Sequence, residues 1–340
     1  MFHVGLDVHV QYITVCILNH DGKLHQRCTV RSIGEVAAIL QRLPGSCQVC
    51  YEASTGYGFV FEALSPVAKH IAVAHPGLLR LIYRSKKKHD RADALKLAKL
   101  LFIGEVPAVH VPSADVRAWR ELITFRRRVV EKRTRAKNGV RGLLRSLGVS
   151  APARGKLWTR QGMQWLRELT LDNAMHALKR DLLVAEIEAI SEQLQRVEKE
   201  LERYARDSVA VQLLQSIPGV GIRTAEAAAA FIDDPHRFAD SKRLGSYFGL
   251  IPSQDQSGNV NRLGHITREG SATVRQLLTE AAWQASRRSP TVKAYRERIQ
   301  RGEADRRKIA IVATAHYLIR VMWSMLKHNA RWQESVAAAA

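Results

Sequence analysis

The chain has 340 residues, enough for about two domains with cores of their own. Hydrophobic residues make up 46% and charged residues 25%, which excludes a disordered or fibrous chain. A formal net charge of +21 points to a polyanionic partner, nucleic acid before an anionic membrane surface.

The N-terminus, MFHVGLDVHVQYI, lacks a cationic segment followed by an apolar core, so no secretion signal is expected. FHVGLDVHV, YITVCILN and LHQRCTV are predicted strands. The Asp-Gly turn of HDGK (20–23) joins the last two into an antiparallel meander. Ser32 is placed to cap a helix over IGEVAAILQRL. CQVCYEA reads as a strand, YGFVFEAL as a helix, HIAVAHP as a strand and DRADALKLAKLLF as a helix with one apolar face. Three antiparallel strands followed by alternating helices and strands are the order of an RNase H-like α/β domain. Cys47 and Cys50 form a C-x-x-C, but residues three apart on a strand face opposite sides, so neither a shared metal nor a disulfide is expected. Free structural cysteines fit a reducing cytoplasm.

Residues 113–147 read as one long basic helix. Between Arg117 and Arg145 it carries eleven Lys or Arg against Glu121 and Glu131. Such one-sided charge, with Arg126, Arg127, Arg128, Lys132 and Arg133 at its centre, predicts contact with phosphates. A heptad follows: Leu183, Ile187, Ile190, Leu194, Val197, Leu201 and Tyr204 alternate spacings of four and three. Residues 181–202 hold seven acids and two bases, so this helix is expected to pair with another helix, in the chain or across an oligomer, rather than lie on phosphate. Residues 208–340 are predicted mainly helical, with a loop-rich middle at 250–270. The apolar stretch 309–327 contains His316 and Arg320 and reads as a buried helix rather than a membrane span.

Three groups of residues carry chemistry. In LLQSIPGVGIRTA, Gly219 and Gly221 precede a helix, as in a helix-hairpin-helix, where backbone amides hold a phosphate; a plain tight turn is the alternative. Asp7 lies inside an apolar strand, where a charge is unfavourable unless paired or metal-bound. Glu52 ends a strand, and Asp90 and Asp93 are i and i+3 on a helix. In an RNase H-like sheet these four would converge, and their oxygens suit one or two Mg2+ ions, with Mn2+ as the substitute. Lys86, Lys87 and Lys88 stand beside Asp90 and Asp93 as phosphate contacts. Third, a polar stretch holds Ser257, Arg262, His265 and Arg268; a serine there needs a base or a polarised phosphate to act as nucleophile.

The motifs GLDVH, YEASTG and KHDRADA resemble those of the DEDD-type insertion-sequence transposases, the family related to the pilin-gene invertases. LLQSIPGVGIRTA, FADSKRLGSYFGLIPSQDQSG, ITREGSATVRQLL and KIAIVATAHYLIRVMWSMLK resemble the family's C-terminal domain. The resemblance covers nearly the whole chain; His89 departs from it where threonine is common. It implies a RuvC-like catalytic domain at 1–112 with Asp7, Glu52, Asp90 and Asp93 as the acidic tetrad. It further implies a basic helix and coiled coil for linkage or oligomerisation at 113–207, and a transposase domain at 208–340 with Ser257 as nucleophile. The implied partners are DNA (element ends and target), a noncoding guide RNA and further copies of the chain as a homodimer or homotetramer; no membrane is implied. The implied setting is the nucleoid of a bacterial cytoplasm. Two readings compete: a metal-dependent, junction resolvase-like nuclease without serine chemistry, and an inactive architectural nucleic-acid-binding protein.

Overall fold

The computed structural model of the chain describes residues 1–82, 90–153, 155–257 and 260–334. Lys86, Lys87, Lys88 and His89 lie outside the described residues, as do the side chains of Asp90 and Ser257. The chain divides into two compact units, Met1–Ala114 and Asp115–Ala340.

The first unit is built on β1 (Phe2–Val8), β2 (Ile13–Leu18), β3 (Leu24–Val30), α1 (Ile33–Gln41), β4 (Cys47–Glu52), α2 (Tyr57–Leu64), β5 (His70–Ala74), α3 (Pro76–Ile82) and α4 (Asp90–Ile103). The sheet order is β3-β2-β1-β4-β5. β1, β2 and β3 pair antiparallel, whereas β4 joins β1 and β5 joins β4 in parallel. This is the mixed sheet of an RNase H-like fold, with β1 at its centre. Gly22, at φ 74°, turns β2 into β3, and Ser32 caps α1 by accepting from the Glu35 N–H.

Strand alternation gives the sheet two different faces. Val4, Leu6, Val49 and Tyr51 pack with Val36, Leu40, Val60 and Leu64 from α1 and α2. Cys16 and Leu18 pack with Ala94 and Ala98 of α4, while Cys50, Ala72 and Ala74 pack with its Leu97 and Leu101. Cys47 belongs to the first face and Cys50 to the second, and all four cysteines are free. α4 crosses unusually close to β1: a Cβ at Gly5 would lie 2.0 Å from the Ala94 carbonyl oxygen and 2.5 Å from the Ala98 nitrogen. Only glycine permits that approach.

The second unit begins with α5 (Ala114–Ser146), then α6 (Arg160–Glu168), α7 (Ala174–Arg206), α8 (Val209–Leu214), α9 (Ile222–Ile232), α10 (Ser241–Tyr247), the strands β6 (Pro252–Ser257) and β7 (Val260–Ile266), α11 (Ala272–Arg288), α12 (Pro290–Gln300) and α13 (Arg307–His328). The predicted heptad is satisfied inside the chain. Val129 packs with Ile190 and Leu194, and Ala136 and Val140 share a cluster with Val184 and Ile187. The Trp119 and Tyr204 rings lie 4.8 Å apart, and Arg126 donates to Glu198 at 2.5 and 2.8 Å. Positions rise along α5 as they fall along α7, so the two helices run antiparallel, the basic one against the acidic one.

Ala310, Ile311, Thr314, Ala315, Leu318 and Met322 bury α13. By length and composition α13 could cross a membrane, yet most of these residues form the core of the unit. The stretch 250–270, expected as loop, is a two-stranded antiparallel hairpin, β6 paired with β7. Its residues are exposed on both faces, so it lacks the apolar alternation by which strands are recognised.

Candidate active site

Asp7 and Glu52 enter the same face of the sheet. Gly5 lies under α4, so Asp7, two residues on, shares its side; Cys50 packs on α4, so Glu52 does as well. The β1–β4 register sets Gly5 beside Cys50 and Leu6 beside Tyr51. One residue further, Asp7 comes level with Glu52 on the neighbouring strand, about 4.8 Å away between backbones.

α4 brings the other acids to that end. The Phe102 ring lies 5.3 Å from the ring of His3, near the start of β1, while Ala94 and Ala98 sit over Gly5. α4 therefore runs opposite to β1, and its first turn, with Asp90 and Asp93, lies toward the Asp7 end. A helix start with acids on a wet face accounts for Asp90 and Asp93 alone; it does not account for Asp7 and Glu52 at the same edge of the sheet.

Two basic groups adjoin these carboxylates that sequence reasoning did not single out. His9 Nε2 is 3.2 Å from Asp7 Oδ2, and Lys96 Nζ donates to Asp93 Oδ1 at 2.7 Å. Spacing was the available signal: His9 is i+2 from Asp7 on an extended segment, and Lys96 is i+3 from Asp93 on a helix. Carboxylate oxygens are the donors hard divalent cations take. Among the described residues no three His, Cys, Asp or Glu groups close on one point, and the Asp90 side chain is not among those residues.

In the second unit, Ser257 is the last residue of β6, paired with Val260 at the tip of the hairpin. Arg262 is exposed on β7, and Arg268, also exposed, has φ 58° beyond it. The stem is fixed tightly. Gly249 and Gly270 have positive φ, and a Cβ on either would collide with backbone, at Glu269 and Tyr247 respectively. Arg275 donates to the carbonyl oxygens of Phe248, Glu269 and Gly270. Burial is the largest of the influences that lower the pKa of its guanidinium, followed by Arg127 and Arg268.

The other residues expected to contact phosphate separate by environment. Arg128 and Lys132 are exposed on α5, and Arg133 is half-buried. Arg126 is held by Glu198, and Arg127 by Glu131 and Thr273. Gly219, at φ 91°, lets the turn pack against Ala285, where a Cβ would lie 2.5 Å from the backbone nitrogen. Gly221 begins α9 without a side-chain cap and borders an open groove of about 670 Å³ lined by Arg126, Arg223 and Arg288.

Residues 4–148 match the DEDD transposases of the IS110 type, and residues 211–297 match the transposase IS116/IS110/IS902 family. The chain belongs to the IS110 family of DEDD transposases. As a member of that family it is a DNA transposase, and a DEDD domain implies divalent metal ions. The Sinorhizobium fredii protein y4qE, which carries a transposase name, is 30% identical over 235 residues, 69% of this chain and 57% of that protein. A Pseudomonas aeruginosa protein carrying the name family 20 transposase is 27% identical over 334 residues, 96% of this chain and 97% of its own length. The transposase for insertion sequence element IS1111A of Coxiella burnetii is 29% identical over 296 residues, 82% of this chain and 76% of that protein. The two matched regions of the family include the acidic residues in one case and the hairpin with Ser257 in the other.

Proposed function

We propose that this transposase cuts and rejoins DNA strands with two chemical groups: a RuvC-like acidic site in 1–112, and Ser257 in a transposase domain at 208–340. What supports the reading most directly is the level pairing of Asp7 with Glu52 on adjacent parallel strands, under the end of α4 that carries Asp90 and Asp93. Asp7, Glu52, Asp90 and Asp93 would hold Mg2+, which when bound polarises the phosphate at the reacting bond. His9 and Lys96 hold the carboxylates of Asp7 and Asp93 in place. Ser257 Oγ attacks the phosphorus; its hydroxyl proton is released as the P–Oγ ester forms, one P–O bond of the backbone breaks, and a proton passes by way of solvent to the departing DNA oxygen. Attack by a DNA hydroxyl on the same phosphorus reverses the step, so no bond energy is lost to water.

The exposed Arg128, Lys132, Arg262 and Arg268 would bear on phosphates, as would the amides at the start of α9 beside Gly219 and Gly221 in a helix-hairpin-helix-like turn. The net charge of +21 suits DNA and a noncoding guide RNA from the same element, at the nucleoid. The test is a denaturing gel of full-length protein with element-end DNA and Mg2+. A covalent DNA–protein adduct is expected from the wild type and from neither Ser257→Ala nor Asp7→Asn, while both variants keep binding DNA. Cleavage by Ser257→Ala without any adduct would instead identify a metal-only nuclease.

A further inference from the structure

The segment after α13 ties together the two walls of the groove beside Gly221. α13 ends at Asn329, whose φ of 49° turns the chain, and the Ala330 N–H donates to the Met325 carbonyl. Trp332 packs on the core of the second unit, and its backbone N–H donates to Ser216 Oγ at 3.0 Å. The Trp332 indole N–H donates to Glu334 Oε1 at 3.1 Å. The other carboxylate oxygen, Oε2, accepts from the Ser289 hydroxyl at 3.0 Å and from the Thr291 N–H at 3.2 Å. Ser289 is 1% exposed and caps α12, so Glu334 takes up an amide in the first turn of that helix, where a carboxylate is favoured.

These anchors flank the groove. One wall is the turn at 219–224, and Ser216 stands just before it. The other wall is the end of α11, with Trp283, Gln284 and Arg288, and Ser289 follows it directly. The walls touch at Gly219, which rests on the backbone of Gln284 and Ala285. One close contact is a pivot: it holds two walls together without fixing the angle between them. A second tie, through Trp332 and Glu334, fixes that angle.

We propose that residues 330–334 are a strap that sets the opening of this groove, with Trp332 and Glu334 as positioning residues for the DNA backbone held there. The effect on binding rests on the groove being the phosphate site proposed for the start of α9. Gly221 supplies that helix with no side-chain cap, so its first amides are aimed by whatever fastens the preceding turn, and Ser216 is where the strap fastens it.

The experiment compares the full-length protein with Glu334→Ala and Ser216→Ala by hydrogen exchange, then titrates each with a short fluorescein-labelled DNA duplex across a salt series. Circular dichroism confirms helix content. Arg288→Ala, on the groove wall and outside the strap, is the control for the groove itself. Each strap variant should speed exchange about fivefold at both 217–224 and 291–293, although Ser216 and Glu334 each touch one wall only. The far wall is the decisive readout, because Ser216 Oγ also bonds the Leu213 carbonyl on its own side. DNA affinity should fall about fivefold, and the slope of log affinity against log salt should shrink by about one, the loss of one phosphate contact. Arg288→Ala should weaken binding with exchange at 217–224 unchanged. Exchange that rises at the nearer wall alone, or at neither, would overturn the strap. Faster exchange at both walls with affinity intact would also overturn it, if Arg288→Ala still weakens binding. If Arg288→Ala and both strap variants all leave affinity intact, the groove is not the phosphate site, and that reading fails together with the strap's part in binding.

Discussion

Replacing Gly5 by alanine tests how closely α4 must approach the sheet. The added methyl would sit 2.0 Å from the Ala94 carbonyl oxygen, where ordinary contact begins near 3.4 Å, so α4 has to lift by about 1.4 Å. The obstacle is backbone, which no rotamer change relieves, and overpacking of this kind costs about 3 kcal/mol. Hydrogen exchange of the full-length chain is the assay: β1 and α4 amides should exchange on the order of 100-fold faster. All six tryptophans lie beyond residue 114, so tryptophan fluorescence reports the second unit and should not change. Gly34→Ala is the control. Its new methyl meets nothing nearer than Ser32 Oγ at 3.9 Å, and helix propensity should stabilise α1 by up to about 1 kcal/mol. Exchange in Gly5→Ala within about twofold of wild type would refute the close-packing account and, with it, the placement of α4's first turn beside Asp7.

Arg275→Ala removes the donor shared by the Phe248, Glu269 and Gly270 carbonyls and should loosen the hairpin stem by about 1–2 kcal/mol, read as faster exchange across residues 247–257; Arg275→Lys should not restore protection. Burial holds the Glu226 carboxyl above its ordinary pKa in spite of Arg223, so the folded state binds that proton more tightly than the unfolded one. Stability from this group is therefore greatest at or below the ordinary carboxyl range and falls as pH rises toward the folded value; urea titrations from pH 4 upward should show Glu226→Gln flattening that fall. Burial pushes the Cys50 thiol up to about 12, so a thiol-reactive disulfide reagent at pH 8 should modify Cys50 only on unfolding.

Much of the first unit was legible in the sequence because its elements carry their own signals. The first strands are rich in β-branched and apolar residues, Ser32 caps a helix, Gly22 turns a hairpin, and a carboxylate inside the apolar β1 is conspicuous. That Asp7 and Glu52 meet was expected from the strand order of an RNase H-like sheet; their exact level was not, because it depends on the register of two strands about forty residues apart, which local pattern does not encode. In α7 the buried heptad was visible, but its partner was not: nothing in the spacing of Ile187, Ile190 and Leu194 says whether they meet α5 or another chain. The β6–β7 hairpin escaped notice for the opposite reason. Gln254, Asp255, Gln256, Asn261 and Arg262 are polar on both sides, so pairing rather than burial makes the strands.

That hairpin has a mechanical consequence. From Pro252 to Ser257 the ribbon reaches about 17 Å beyond its clamped stem. As a lever arm of that length, it turns a 5° tilt at Gly249 and Gly270 into a swing of about 1.5 Å at its far end. That swing is about one P–O bond length, so if Ser257 is the nucleophile proposed above, its alignment with a phosphorus would be set at the foot of the ribbon, many residues from the tip.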